Sequence, residues 1–364
     1  MAATESDFED PKEWSEPTEQ QAEQELSIGR RLGNWKSLAS FAVALLVLAF
    51  AIKQAKVDPS AVWARARTLN AALYIGAFLV YYATFPIRGY RWKILLENAY
   101  DRTHREVVDE MHVTGLTEIL YISWFVNCVV PAKLGDLYRA YLAKLWVHIS
   151  WSKTVGTILA ERIIDILVLG ALLAGSGFIL FHNRLGHIST ILLLGLGLAV
   201  IGVLGLVAMK TFSERIRRLL GSNPRTQRFQ ERYISFEEGT LHSFQRLPLL
   251  LGLTVVIWLL EGARIQLVFA SLHVVLKPQL FGIPFVPMLF FALATAVLTT
   301  VPFTPGGLGL VEAGLIGIMI YVGIPTQDAT VVVLFDRVLS YLSVAVFGFI
   351  VYLLSKRSHF RQPI

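Results

Sequence analysis

Long apolar runs separated by short polar stretches make up most of this chain. Pro278 to Val311 holds no Asp, Glu, Lys or Arg over 34 positions, and Thr68–Ile87, Leu185–Met209 and Val338–Ser355 are likewise uncharged. Uncharged runs of about 18 residues or more read as membrane-spanning helices. Taken in order, the runs predict spans near 37–53, 68–87, 154–181, 185–209, 247–273 and 329–354. Two further apolar stretches, about 114–131 and 283–301, differ from these. Each ends at a Pro, turns at a Gly and resumes as a short helix.

The turns are alike in sequence. Val130, Pro131, Gly135 and Leu137 coincide with Val301, Pro302, Gly306 and Leu308 at an offset of 171. Downstream, Glu161-Arg162 matches Asp336-Arg337 at an offset of 175. Together they predict an internal repeat. Three crossings separate the copies, so the second would lie upside down relative to the first, the arrangement by which many transporters build a midplane site from broken helices. Pro and Gly free backbone groups that lipid cannot satisfy, so such a turn must face protein or a wet cavity. The fold class expected is therefore an all-α polytopic membrane protein, with about six full spans and two re-entrant helical hairpins related as an inverted repeat.

Composition agrees. Apolar residues are 54% of 364, charged residues 16%, and mean hydropathy is +0.56. These values exclude a disordered, collagenous or disulfide-rich secreted chain. The one cysteine, Cys128, excludes an intrachain disulfide, and the eight histidines show no metal-ligand spacing. No metal, cofactor or nucleic acid is expected. No secretory signal is recognised ahead of the first apolar run, because the N-terminus is acidic where a signal would be basic.

Charge is unevenly placed. Residues 1–29 carry nine acidic side chains and one Lys, which leaves +14 on the rest. Residues 1–34 are expected to form an acidic disordered cytoplasmic tail. The membrane domain is expected over 35–355, with a short basic tail at 356–364. Segment 210–246 carries eight basic and four acidic residues and reads as a basic amphipathic stretch on the cytoplasmic face. Both termini are placed on that side of the cytoplasmic (inner) membrane; Lys56, Arg65 and Arg67 are exceptions to the rule.

Ionisable groups inside spans cost several kcal/mol and mark function by default. Glu161, Arg162 and Asp165 lie roughly 10–17 Å, about two to three turns, into their span. Glu161 and Asp165 share a helix face and repel unless a cation intervenes, and Arg162, Arg337, Lys133 and Arg139 are the available cations. Ser340 stands where the second copy would have Asp165. Glu261 and Arg264 read equally as a self-neutralising pair and as a ligand site, and Glu312 equally as a helix-start charge and as a transport residue. Arg88, Arg91 and Trp92, just past the second span, read as interfacial anchors. No nucleophile, nucleotide-binding or glycosyltransferase signature is present, so no catalytic residues are assigned.

Four motifs now stand in order: Pro131-x-x-x-Gly135-Asp136-Leu137-x-Arg139, Glu161-Arg162-x-x-Asp165, Pro305-Gly306-Gly307-Leu308-Gly309-x-x-Glu312 and Asp336-Arg337. They resemble the flippase-like membrane domain of lysylphosphatidylglycerol synthases, over about 35–355. The family usually has Gly-Glu at Gly135-Asp136. The resemblance implies movement or binding of a charged or modified polar lipid across the cytoplasmic membrane. It also implies a stand-alone member without the synthase domain, so aminoacyl transfer is not expected. Asp136, Arg139, Glu161, Arg162, Asp165, Gly306, Gly307, Glu312, Asp336 and Arg337 would line the cavity, with Lys133, Glu261, Arg264 and Arg91 as secondary candidates. Arginines would hold phosphate and carboxylates an ammonium or sugar hydroxyls. The partners expected are the bilayer and a phospholipid or lipid-linked substrate, with a soluble lipid-modifying enzyme and a second copy left open. Two alternatives remain: a membrane-embedded enzyme acting on a headgroup, and a non-catalytic subunit of a lipid-modifying enzyme or glycosyltransferase.

Overall fold

A computed structural model describes residues 59–100, 111–130, 133–181, 189–222, 226–275, 285–300 and 305–359. The acidic segment, the span at 37–53, Pro131, Pro302 and residues 360–364 lie outside the described residues. Those described are helical, with no strand among them.

In chain order the helices are α1 (Pro59–Arg67), α2 (Ala71–Ala99), α3 (Val113–Val129), α4 (Gly135–Val147), α5 (Trp151–Phe181) and α6 (Ser189–Gly221). Then come α7 (Gln227–His242), α8 (Leu247–Ser271), α9 (Phe285–Thr300), α10 (Leu310–Tyr321), α11 (Thr326–Arg337) and α12 (Ser343–His359). A wider π-turn, Val338–Leu342, joins α11 and α12 into one rod. Among the described residues, four helices are long and apolar enough to cross a membrane: 71–99, 151–181, 247–271 and 326–355. The chain is a multi-pass membrane protein. The 33-residue α6 takes up most of the predicted span at 185–209. By contrast α3 and α9, at 17 and 16 residues, reach only about 25 Å against a hydrocarbon core of about 30 Å.

Local chemistry sets the helix starts. The Asn70 side chain accepts from the Leu73 N–H at 3.3 Å and opens α2. A Pro in the first turn opens α8. Contacts at the helix ends fix direction. At one end the Asn70 N–H donates to the Ser271 carbonyl (2.8 Å) and Arg65 donates to Asp328 (2.9 Å). At the other end Asn98 donates to the Ser243 carbonyl (3.1 Å), Arg246 to Glu97 (3.0 Å) and Tyr100 to the Ser150 carbonyl (3.4 Å). Helices α2 and α8 therefore run antiparallel. So do α5, which starts at the Asn98 end, and α11, which starts at the Asn70 end.

The 210–246 segment differs from the expected surface helix. Its first part simply continues α6 to Gly221, and its second part, α7, docks on the start of α5. Glu237 is buried there and accepts from Arg217 at 3.1 Å, with Thr240 and Ser243 also buried. Periodicity alone could not separate a lipid-facing stripe from one that faces another helix.

Candidate functional site

Among the described residues the two larger apolar clusters lie one around Phe290, Phe291 and Ile265, the other around Trp92, Leu95 and Ile119, with a small third at Phe125, Val126 and Val130. Ion pairs join the helices that carry these clusters. In the first half, Arg91 donates to Asp165 (2.5 and 3.2 Å), Glu161 (2.9 Å) and Thr254 (2.7 Å). Arg139 donates to the second oxygen of Glu161 at 2.5 Å and lies 3.8 Å over the Trp92 ring. Arg162 forms a two-pronged bond to Asp136 (3.0 and 3.1 Å) and lies 3.6 Å from Asp165. In the second half, Arg264 bonds Glu261 (3.0 Å) and Asp336, while Arg337 bonds Glu312 (2.6 Å) and the Gly306 carbonyl (2.9 Å). Arg88 of α2 reaches Glu261 of α8 at 3.1 Å and joins the halves.

The halves correspond beyond the two motif blocks. Arg91–Glu161 answers to Arg264–Asp336, at offsets of 173 and 175. Asp136–Arg162, between a hairpin carboxylate and the next long helix, answers to Glu312–Arg337. Gly89 and Gly262, also 173 apart, are where α2 approaches Thr117 of α3 and α8 approaches Leu289 of α9; a Cβ at either would crowd that neighbour. Arg88 and Glu261 are again 173 apart and touch each other, as residues near a two-fold axis must. Corresponding helices run in opposite directions, so the two halves are inverted.

The hairpins meet through Tyr341. Its hydroxyl donates to the Cys128 carbonyl of the first (2.7 Å), and its ring occupies the space where a side chain on Gly306 of the second would sit. Gly306 has φ +57°, which an L side chain adopts at a cost, so the turn needs glycine on two counts. Gly307, at φ +71°, shares the turn. Glu312 accepts from the Gly309 N–H at 2.6 Å as well as from Arg337, so it both caps α10 and joins the charged seam. In the first hairpin Gly135 is held by Asn127 (2.8 Å) and Ser123 (2.8 Å).

Of the primary site residues named from sequence, Asp136 pairs with Arg162, Arg139 with Glu161, and Arg162 lies beside Asp165 in the first half; Gly306 and Glu312 meet at Arg337 in the second, where Asp336 pairs with Arg264. Lys133 is exposed at the tip of the first hairpin, in left-handed backbone (φ 51°). The reading of Arg88, Arg91 and Trp92 as interfacial anchors is wrong. They lie inside a 29-residue helix and are buried, because their charges face carboxylates and a ring rather than headgroups. The sequence carried a signal: Gly89-Tyr90-Arg91 repeats as Gly262-Ala263-Arg264. The predicted use of free arginines also changes, since each named arginine already has a carboxylate. Among the described residues no group of three His, Cys, Asp or Glu side chains is placed to hold a metal.

A family model described as the lysylphosphatidylglycerol synthase TM region matches residues 37–348. A UPF0104 membrane protein of Methanocaldococcus jannaschii is 33% identical over 240 residues, 66% of this chain and 97% of its own. The glycosyltransferase AglD of Haloferax volcanii is 27% identical over 310 residues, 74% of this chain and 46% of that protein. A UPF0104 membrane protein of Methanothermobacter thermautotrophicus is 24% identical over 295 residues, 75% of this chain and 80% of its own. No solved structure matches.

Proposed function

The chain belongs to the lysylphosphatidylglycerol synthase TM-region family, and from that premise we propose that it binds a polar lipid and carries its headgroup across the cytoplasmic membrane along the charged seam. The two hairpins are re-entrant, the halves form an inverted repeat, and both termini lie in the cytoplasm. The chain itself performs no chemistry on the lipid.

One observation carries this reading. An ion network that served stability alone would be sealed, yet the Arg162–Asp136 pair at the first hairpin is partly open, with side chains 37% and 19% exposed. Its counterpart, Arg337–Glu312, is 11% and 2% exposed. The seam is thus entered from one half and shut in the other. Burying charge in a bilayer is costly, and a headgroup able to exchange partners with the open pair would have a polar path between the hairpin tips while its acyl chains stay in lipid.

The test uses purified protein in liposomes with fluorescent phosphatidylglycerol, following the inner-leaflet fraction that becomes accessible to dithionite. Wild type should expose it faster than empty vesicles, and Arg162→Ala should slow this about tenfold or more. Equal rates in protein-containing and empty vesicles would reject the proposal. A second reading, a membrane subunit for a lipid-modifying enzyme, is favoured by the likeness to part of AglD. It predicts no lipid movement by the protein alone and a stable complex with such an enzyme.

A further inference from the structure

The seam is electrically balanced. Arg88, Arg91, Arg139, Arg162, Arg264 and Arg337 face Asp136, Glu161, Asp165, Glu261, Glu312 and Asp336. Resting on the translocation reading above, this balance constrains what can enter. An anionic phosphate headgroup would leave one negative charge uncompensated in a low-dielectric interior, which is severely unfavourable. It must arrive with a cation, or one carboxylate must take a proton.

The hydrogen bonds single out which carboxylate. Asp136 has both oxygens on Arg162; Glu161 divides its two between Arg91 and Arg139. Both oxygens of Asp165 are on Arg91, and Glu261 divides its pair between Arg88 and Arg264. Glu312 divides its pair between Arg337 and the Gly309 N–H. Asp336 alone keeps a buried oxygen, Oδ2, with no partner, while its Oδ1 takes Arg264. A buried polar atom left unpaired in this way calls for an explanation. The Ser340 hydroxyl, one turn further on, is also buried without a partner. It stands where the first half has Asp165, inside a π-turn, a break common at functional sites.

We propose that Asp336 is the proton-binding residue of a proton-coupled lipid translocator, so that an anionic headgroup and one proton enter the seam together. A hydrated proton is transferred to Oδ2 and leaves water behind. In this structure Oδ2 and Ser340 Oγ are not bonded to each other; the new O–H would reach Ser340 Oγ through a side-chain rotation and so satisfy both orphaned atoms. Arg264 loses a counter-charge and becomes available to a phosphate oxygen. The headgroup brings −1 and the proton +1, so the seam stays neutral. Two protein oxygens are too few to replace the shell of a metal cation, which favours the proton.

The groups around Asp336 are consistent with this step. Helix α8 presents Arg264 and Glu261, with Arg88 of α2 behind Glu261. Helix α2 also presents Tyr74 and Tyr81, whose hydroxyls are committed to the Phe335 and Ser340 carbonyls. Arg337 is held by Glu312 of α10, and Tyr341 by the carbonyl of Cys128 on α3. At the start of α11, Asp328 is paired with Arg65 of α1. Among the buried carboxylates of this set, Asp336 alone has an oxygen without a partner.

The sign follows from linkage: proton uptake on binding means that lipid binds more tightly as pH falls. The experiment uses proteoliposomes containing fluorescent phosphatidylglycerol with a pH dye inside. Wild type should show an apparent affinity that falls about tenfold per pH unit on the alkaline limb, the slope of one proton per lipid, and an acid gradient should drive lipid with measurable proton entry. Asp336→Asn, which cannot take up a proton, should abolish proton entry and leave the remaining lipid binding independent of pH. Ser340→Ala, without the acceptor for the new O–H, should shift the pH midpoint downward. Lipid movement that is flat with pH in wild type, or that requires sodium instead, overturns the proposal. If Asp336→Asn does not fold, an unshifted midpoint in Ser340→Ala overturns it. Absence of lipid movement at any pH defeats the translocation reading itself, and proton coupling with it.

Discussion

Arg91 is the most heavily bonded side chain of the seam, and it is wholly buried. Arg91→Ala would strand Glu161 and Asp165 without their shared cation. Removing one partner of a buried ion pair costs about 3–5 kcal/mol, so a detergent-solubilised thermal melt should show a large loss. Adding Asp165→Asn should restore part of it, since the two changes act on one network and do not sum. Arg162→Ala differs because its side chain is over a third exposed; stability should fall by no more than about 1 kcal/mol, even where lipid movement is lost. This contrast separates structural arginines from working ones. Much of the charged seam was readable in the sequence, since an acid-Arg pair two turns into an apolar helix has few uses. Arg88 and Arg91 were not, because a hydropathy window ends at the first charges whether those charges meet water or a buried carboxylate.

The helix rows explain why the π-turn persists. A π-turn leaves backbone carbonyls poorly served, and α2 serves this one with a row of tyrosines. Tyr74 donates to the Phe335 carbonyl (2.8 Å), Tyr81 to the Ser340 carbonyl (3.1 Å), and Tyr82 shares a hydrogen bond with Ser343 (2.6 Å). The first half of the molecule has regular α-helix at the matching positions. Tyr81→Phe should therefore loosen the rod around residues 335–343 without unfolding it. Hydrogen exchange should quicken there by about fivefold, the equivalent of one net hydrogen bond of roughly 1 kcal/mol, with little change in α5. Equal quickening in α5 would show instead that the tyrosines support the fold as a whole. The hairpins were visible beforehand through Pro and Gly, but the π-turn was not: it arises from packing against α2, which local sequence does not encode.

At the scale of the molecule, the inverted halves are alike in bonding and unlike in exposure. By helix rise, Arg91 and Glu161 lie roughly 12–15 Å from the Asn98 end, and Arg264 and Asp336 about as far from the Asn70 end. The two parts of the seam are thus at equal depth from opposite faces, yet only the first is partly open. A two-fold operation would exchange the open and shut halves, which defines a second state of the same chain. Side-specific labelling can detect that asymmetry, and the single native cysteine, Cys128, is buried. In a Cys128→Ala background, Arg162→Cys should react with a membrane-impermeant maleimide added on the side of Arg246 and Glu97. Arg337→Cys should react slowly from the side of Arg65 and Asp328, and anionic lipid should raise that rate if it shifts the population toward the exchanged state. Equal reactivity of both positions from both sides, with or without lipid, would mean a fixed aqueous seam and no alternation. The repeat that makes this prediction was partly legible from Glu161-Arg162 and Asp336-Arg337. Its completion by α2 and α8 left only the short signal of Gly89-x-Arg91 and Gly262-x-Arg264, because Arg88 and Glu261 are opposite in charge and correspond only through the axis at which they meet.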